Sequence, residues 1–375
     1  MHKLNISKCM GVFLFIGLCA FDGSAKAETG VGVPFVHAAS ACLIDVNSGR
    51  ILYEKNGQQP MRIASLTKVV TGWIAIKSGK LDRLVTVSNL AARQEGSSVY
   101  LKAGERVKLR DLLYAMMLRS GNDAAMAIAE AVAGSNDRFA SLMNAEVKKL
   151  GLSHTHFANP HGLDNQAHYA SADDFATLTA AALKTPLFRQ IVATRYYRME
   201  RHSVVGSTNL KNKNRLLWMM QGADGVKTGF TRAAGRCLAA SASLAGRQVA
   251  VVLLDDPADW VDAKRLLVYG LHAYTPVDVA KIQPDALRLA LRDGVQERVV
   301  TRAQHRIVYP LCAGEAQAVT YRIVQKRQRA PVHVGDPLGV LYVSLHGKPL
   351  GETQLLAAQD VPAKSLWGKL RGLFS

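Results

Sequence analysis

The sequence predicts an antiparallel sheet with helices packed on its faces, followed by a small all-β domain and a C-terminal amphipathic helix. Strand-like apolar runs lie at both ends of the first 275 residues, helical apolar spacing fills the middle, and helix signals nearly vanish afterwards. Short connections between the last three of these strands favour antiparallel pairing. The chain of 375 residues is 49% hydrophobic, which leaves room for large cores.

The elements of the first domain follow from apolar periodicity and turn residues. A hairpin opens it at 41–45 and 51–53, and a helix then starts at Ser65 and ends near Gly79. Further strands are predicted at 85–87, 224–230, 237–243 and 248–254. Further helices are predicted at 109–118, 123–132, 137–150, from Ser171, at 186–193 and at 259–271.

A boundary is predicted near residues 275–277, so that the first domain spans 28–275 and the small all-β domain spans 276–360. Four short β runs support the second domain, at 297–301, 305–309, 319–324 and 340–344.

The first 27 residues are typical of an export signal. Two lysines, Lys3 and Lys8, precede an apolar run at 10–20 that is short for a membrane span, and small residues flank the predicted cleavage after Ala27. A retained membrane anchor is the alternative. We therefore expect an exported protein at the periplasmic face of the inner membrane.

The C-terminal stretch, 361–375, is predicted to form an amphipathic membrane-anchor helix. Leu366, Trp367, Leu370, Leu373 and Phe374 fall on one helical face, and cations lie off it. Such a helix suits an anionic inner-membrane surface, where it lies in the plane of the head groups. A terminal helix packed on its own domain is the alternative.

The formal net charge of +18 permits an anionic partner, but it also serves solubility. No basic arm, zinc pattern or aromatic–basic RNA motif accompanies it, so nucleic acid is not expected as a partner. Cys42, Cys237 and Cys312 make no disulfide framework, and the first two read as small buried apolar residues.

The candidate catalytic residue is Ser65, which lies at the start of a predicted helix, and Lys68 follows it one helical turn later. Residues at i and i+3 share a helix face, so the amine can reach the hydroxyl and take its proton. Alone, the pattern also describes a capped surface helix. Two further motifs support an active site: Ser120-Gly121-Asn122 between two helices, and Lys227-Thr228-Gly229 in a strand.

In these motifs the chain resembles the D-alanyl-D-alanine carboxypeptidases, the low-molecular-mass penicillin-binding proteins (serine peptidase family S11). The similar segments lie between about residues 39 and 274. They are 64–68 (ASLTK), 118–125 (LRSGNDAA), 159–164 (NPHGLD), 224–229 (DGVKTG) and 262–267 (DAKRLL). The resemblance implies a fold like that of serine β-lactamases and penicillin-binding proteins.

The resemblance also implies catalytic roles. Ser65 would attack the carbonyl between two terminal D-alanines of a peptidoglycan pentapeptide and become an acyl-serine. Lys68 would be the general base, with its pKa lowered by Lys227. The backbone N–H groups of Ser65 and Phe230 would form the oxyanion hole. Ser120 would relay a proton to the leaving D-alanine, and β-lactam antibiotics would acylate Ser65 stably.

Substrate-binding residues follow from the same resemblance. Asn122 would hold the substrate amide, and the Lys227-Thr228-Gly229 strand would line the cleft and bind the terminal carboxylate. Lys213 or Arg215 would add a second cation there. Family members often carry His after Lys-Thr-Gly, where this chain has Phe230.

Several alternatives remain open. A class A β-lactamase would need an activating glutamate in a Glu-x-x-Leu-Asn loop, which the sequence lacks. A D,D-endopeptidase or transpeptidase on the same scaffold is closer, and a non-catalytic wall-binding protein is a different class. His161 and His168 lack further ligands at zinc spacing, so no metal or other cofactor is expected.

Overall fold

The computed structural model describes residues 32–201 and 209–365. The predicted export signal lies outside this part of the chain, and so does most of the predicted C-terminal helix. No helix in the described ranges is both long and apolar enough to cross a bilayer.

The helices and strands are numbered in chain order. The strands are β1 Ser40–Asp45, β2 Ile51–Lys55, β3 Leu84–Thr86, β4 Arg106–Lys108, β5 Thr155–His156, β6 Tyr169–Ala170, β7 Tyr196–Arg198, β8 Asn209–Lys211, β9 Ala223–Thr231, β10 Gly235–Leu244, β11 Arg247–Leu254, β12 Tyr274–Asp278, β13 Arg288–Ala290, β14 Arg298–Ala303, β15 Val308–Cys312, β16 Val319–Gln325, β17 Pro337–Leu345 and β18 Lys348–Ala357. The helices are α1 Lys68–Lys77, α2 Asn89–Ala92, α3 Leu109–Arg119, α4 Asn122–Ala133, α5 Asn136–Lys149, α6 Ala172–Leu183, α7 Pro186–Ala193, α8 Leu216–Met219 and α9 Asp259–Ala273.

The central sheet has the order β2-β1-β11-β10-β9, and all its pairs are antiparallel, as predicted. Strand β11 is buried along its whole length because helices cover both faces. Val249, Val251 and Leu253 face a cluster with α9, whereas Val252 and Leu254 face the larger cluster with α1, α3 and α4. Strand β9 is an edge of this sheet and contacts the turn Ala64–Thr67, which carries Ser65.

A second five-stranded sheet, β13-β14-β18-β17-β16, carries its own apolar cluster between Val279 and Val361. Strands β13 and β18 were not predicted. The proposed boundary near residue 275 falls within β12, which pairs with β15 of the second domain. Chain continuity and sheet pairing therefore both connect the two domains.

Arg50 also links the domains. Its guanidinium donates two hydrogen bonds to Glu315, at 2.8 and 2.5 Å, and lies over the rings of Tyr274 and Tyr309. Partial burial raises the pKa of Glu315, but the hydrogen bonds from Arg50 and from the Cys312 N–H outweigh it and lower this pKa to about 2. Glu315 is therefore charged throughout the physiological range.

Candidate active site

Ser65 lies in a tight 3-10 turn, Ala64–Thr67, that leads into α1. The sequence predicted an α-helix starting at this serine, whereas in the structure α1 starts at Lys68. The conformation of the residue before Ser65 accounts for this difference. Ala64 has φ of +46°, in the left-handed region that non-glycine residues rarely adopt. Backbone strain of this kind persists only where surrounding structure enforces it, and it is frequent at functional sites.

Lys68 meets Ser65 as predicted. Its Nζ donates to Ser65 Oγ at 2.9 Å, to Asn122 Oδ1 at 2.7 Å and to the His161 carbonyl at 2.6 Å. The side chain is fully buried. Burial and then the like charge of Lys227 lower the pKa of Lys68 well below its ordinary value. A neutral amine next to the hydroxyl is therefore more accessible than it would be for an exposed lysine.

The loop 159–164, which contains the sequence Asn-Pro-His, packs directly against the turn Ala64–Thr67 that carries Ser65. Gly162 has φ of +87°, and an ideal Cβ there would lie 1.9 Å from the Ala64 carbonyl oxygen, so only glycine fits. Thr67 Oγ1 and His168 Nε2 are 2.7 Å apart, and Thr71 Oγ1 donates to Pro160 O at 2.7 Å. His161 and His168 thus serve the architecture of the site.

Ser120 ends α3 with φ of +67°, and this turn aims it into the cleft. Asn122 opens α4 and is buried. Its Oδ1 accepts from Lys68, and its Nδ2 donates to the Glu95 carbonyl. Asn122 thus positions Lys68. Because Oδ1 has two lone pairs and Nδ2 has two hydrogens, these contacts are compatible with a further contact to a substrate amide, which stays a prediction.

Strand β9 carries the third motif along the cleft. Lys227 lies beneath the cleft rather than in its lining: it is 2% exposed, and its Nζ donates to the Thr228 carbonyl at 2.7 Å. Burial and then the charge of Lys213 lower its pKa to about 7. An ideal Cβ at Gly229 would lie 3.2 Å from the Ser65 nitrogen, so this glycine lets the strand approach the turn closely.

A cleft of about 410 Å³ opens above these groups. Its lining brings together Ser65, Ser97, Ser120, Lys213, Thr228, Gly229, Phe230, Arg236, Asp259 and Trp260. Lys213 Nζ lies 3.3 Å from Ser97 Oγ. Arg215 is not part of this lining; its guanidinium lies over the Trp260 ring, 6.0 Å from the centroid. Of the two predicted cations, Lys213 is therefore the one in the cleft.

Four lining residues were missed from the sequence: Ser97, Arg236, Asp259 and Trp260. Ser97 belongs to no recognisable motif, and Arg236 and Asp259 are far apart in the chain. The structure joins the latter pair by an ion pair of 2.7 Å. Arg236 pairs with Phe230 in the antiparallel hairpin of β9 and β10. This pairing, which places Arg236 beside the cleft, could have been found from the sequence only by predicting the register of the hairpin.

A larger groove, of about 820 Å³, lies along the outer side of α9. Apolar side chains such as Phe35, Val261 and Val268 line it, and among the residues that the structure describes its lining contains no serine, cysteine, histidine or carboxylate. The chemistry therefore belongs to the smaller cleft.

Comparison with known proteins agrees with this geometry. The family profile described as D-alanyl-D-alanine carboxypeptidase, peptidase S11, matches residues 27–258. A second profile, the C-terminal domain of penicillin-binding protein 5, matches residues 288–363. D-alanyl-D-alanine carboxypeptidase DacC of Escherichia coli is 31% identical over 371 residues, which cover 92% of this chain and 89% of that protein.

Solved structures give the same result. Penicillin binding protein 5 from Haemophilus influenzae has a TM-score of 0.70 and 30% identity, covering 89% of this chain and all of that one. A mutant of a Streptomyces DD-transpeptidase has a TM-score of 0.60 and 31% identity, covering 64% of this chain and 99% of that one. On these matches and its site geometry, the chain belongs to the D-alanyl-D-alanine carboxypeptidase family of serine peptidases.

Proposed function

We propose that this protein removes the terminal D-alanine from peptidoglycan pentapeptides through an acyl-Ser65 intermediate. The observation that carries the proposal is the contact of 2.9 Å between Lys68 Nζ and Ser65 Oγ, at a lysine whose pKa burial and Lys227 lower. A serine hydroxyl becomes a nucleophile when an adjacent neutral base takes its proton.

Acylation begins when Lys68 accepts the Ser65 proton and Oγ attacks the carbonyl carbon of the terminal peptide bond. The developing oxyanion lies between the backbone N–H groups of Ser65 and Phe230, which the close passage of Gly229 supports. Oxyanion-hole donors typically contribute about 100- to 1,000-fold each in rate. Because only the backbone of Phe230 is used, its exposed ring is not required for this step.

The leaving D-alanine needs a proton on its nitrogen and a partner for its carboxylate. Ser120 lies in the cleft and relays the proton from Lys68 to the amine. Thr228 and Lys213 line the same cleft and bind the terminal carboxylate, while Lys227 adds positive potential from beneath. A cluster of cations at the end of the cleft explains a preference for substrates with a free C-terminus.

Water then attacks the acyl-Ser65 ester and releases the shortened peptide. A β-lactam offers its strained amide to the same nucleophile and remains attached because no separate leaving group departs. Transfer of the acyl group to an amine instead of water is the second candidate reaction, and the similarity to a Streptomyces DD-transpeptidase supports testing it.

Mass spectrometry after penicillin treatment tests the nucleophile. We expect one adduct per protein, located on Ser65, and no adduct on Ser65→Ala. Ser78→Ala is the matched control, because Ser78 lies at the end of the same helix and donates to the Ala75 carbonyl away from the cleft. An adduct that survives Ser65→Ala would contradict the mechanism.

Product analysis on a pentapeptide tests the reaction. Free D-alanine and a tetrapeptide indicate the carboxypeptidase, whereas a crosslinked dimer indicates transfer. A D,D-endopeptidase would cut a crosslinked peptide in the same assay. Sustained rapid consumption of β-lactam, beyond one equivalent per protein, would favour the β-lactamase alternative.

We also propose export to the periplasm, with residues 1–27 as the signal and 361–375 as an in-plane anchor on anionic inner-membrane lipid. An anchored enzyme would face the wall from the membrane surface. Deletion of residues 364–375 should move the protein to the soluble fraction without changing pentapeptide turnover. Unchanged membrane association would overturn the anchor.

A further inference from the structure

The outer face of the β7–β8 hairpin presents an aromatic ring and a cation side by side. Tyr196 pairs directly with Lys211 in the hairpin register, and both side chains are exposed. The neighbouring Tyr197 points inward, stacks on Tyr114 at 3.7 Å and donates to Asp111 at 2.7 Å. Packing and hydrogen bonding account for Tyr197, whereas Tyr196 is 64% exposed.

Trp218 extends this face from the short helix α8. Its ring meets Tyr196 edge to face, with centroids 6.1 Å apart, and it is 40% exposed. Two cations lie over the indole: Lys211 Nζ at 5.4 Å and the Arg195 guanidinium at 5.9 Å from its centroid. We name the surface formed by Arg195, Tyr196, Lys211 and Trp218 the aromatic ledge.

The charge around the aromatic ledge is uncompensated. Within residues 32–201 and 209–365, none of the exposed cations here forms an ion pair with an acid. They are Arg195, Arg198, Lys211, Lys213 and Arg215. Elsewhere in the described chain many surface arginines do have such partners, for example Arg327 with Asp336 at 2.8 Å. Clustered charge of one sign attracts an anionic partner over a distance of about 8–10 Å in salt.

The aromatic ledge is joined to the catalytic cleft by a short segment of chain. Lys211 and Lys213 flank the buried Asn212, whose N–H donates to the Arg195 carbonyl at 2.9 Å. Lys213 lines the cleft itself. Lys211 of the ledge and Lys213 of the cleft are therefore only two positions apart, about 7 Å along an extended chain, so a linear molecule can contact both.

We propose that the aromatic ledge binds the glycan strand that carries the substrate peptide. Sugar rings pack their apolar C–H faces on exposed aromatic rings, and carboxylates of the attached peptides meet the unpaired cations. This inference rests on the proposed function, since that function supplies a sugar polymer bearing acidic peptides. A neutral partner would leave Arg195, Arg198 and Lys211 without an anionic partner, and a compact acidic protein would not need two exposed rings.

The aromatic ledge contributes to the affinity for the polymer and not to the rate of the chemical step at Ser65. Loss of one aromatic ring together with one cation should weaken binding about 10- to 100-fold, which corresponds to about 1.4–2.8 kcal/mol. Binding should also weaken with added salt, as expected for charges near the surface.

Cosedimentation with purified insoluble peptidoglycan tests the proposal. All proteins carry Ser65→Ala, so that binding is measured without acylation or turnover. We expect Lys211→Ser/Trp218→Ser to raise Kd about tenfold or more. Arg322→Ser/Tyr342→Ser is the matched control, since it removes another cation–aromatic pair, with the guanidinium 4.0 Å from the ring centroid, on the second domain. The control should bind like its parent.

Charge reversal gives a second variant that keeps both aromatic rings. Arg198→Glu/Lys211→Glu should abolish binding at low salt while the thermal midpoint stays near that of the parent. With Ser65 intact, the ledge variants should turn over a soluble pentapeptide normally and polymeric substrate more slowly.

Equal peptidoglycan binding by parent and ledge variants would overturn the proposal. So would a parent that binds a phosphate-rich wall polymer but not peptidoglycan. Failure of the proposed function gives a different result, namely loss of penicillin acylation and pentapeptide turnover by the Ser65-containing protein.

Discussion

Replacing Gly162 by alanine tests whether the loop 159–164, whose His161 carbonyl holds Lys68, must approach the turn Ala64–Thr67 so closely. An ideal Cβ at Gly162 would lie 1.9 Å from the Ala64 carbonyl oxygen. An ordinary carbon–oxygen contact is about 3.5 Å, so the loop and the turn have to separate by roughly 1.5 Å. A displacement of about 1 Å in a catalytic arrangement can cost about 100-fold in rate. We expect acylation to slow by at least that factor.

The control is Gly151→Ala. Gly151 also has a positive φ, +70°, but no atom lies within 4 Å of its ideal Cβ. Both variants therefore carry a left-handed strain of about 1–2 kcal/mol, and only Gly162→Ala adds the collision. Acylation by a fluorescent penicillin, followed by stopped flow, gives the rate, and thermal unfolding gives the stability.

The two variants should lose comparable stability from strain, with a further loss for Gly162→Ala. Only Gly162→Ala should lose acylation rate, because His161, whose carbonyl holds Lys68, is its neighbour. If Gly162→Ala acylated as fast as Gly151→Ala, the close approach would have no role in placing the base, and the reasoning would fail.

Three further predictions concern single charges or hydrogen bonds. Lys227→Met removes a like charge, so the pKa of Lys68 rises and the acidic limb of the acylation pH–rate profile moves to higher pH; a limb that stays in place contradicts this. Asn122→Ala frees Lys68 from one acceptor and should slow acylation about 10- to 100-fold in stopped flow, whereas a wild-type rate would leave Asn122 without a positioning role. Glu315→Gln should lower the free energy of unfolding by about 1–2 kcal/mol at neutral pH in urea titrations, because it weakens the bond to Arg50. The pKa of Glu315 is about 2 in the folded protein and about 4.3 in the unfolded chain. Its contribution to the free energy of unfolding is therefore complete above about pH 4.3 and is lost as pH falls toward 2. A stability difference between the two proteins that persists below pH 2 would refute this origin.

Much of the fold could be predicted because local patterns and tertiary contacts agree. The predicted strand 248–254 is continuously apolar from residue 249 onward, and in the structure it lies within β11, which is buried on both faces. The i to i+3 spacing predicted the Ser65–Lys68 contact even though the turn is a 3-10 turn, since that geometry also brings these positions together. Cys42 and Cys237 were predicted to be buried, and both are buried free thiols.

The remaining features depend on contacts distant in sequence. The contact of Asn122 with Lys68 was not predicted, because its two carboxamide contacts lie 54 and 27 positions away and leave no local pattern. The Arg236–Asp259 pair depends on sheet register and on where α9 begins. The Arg50–Glu315 pair spans 265 positions and joins two domains that were predicted separately.

The three acceptors around Lys68 have a consequence for how the proton moves. Asn122 Oδ1 and the His161 carbonyl can only accept, so they hold two amine hydrogens whether the nitrogen is charged or neutral. Tetrahedral geometry then directs the remaining position at Ser65 Oγ: a hydrogen in the ammonium, and a lone pair in the amine. Proton transfer reverses the direction of one hydrogen bond and requires no rotation of the side chain. The resting site already has the geometry of both reactant and product of its first step.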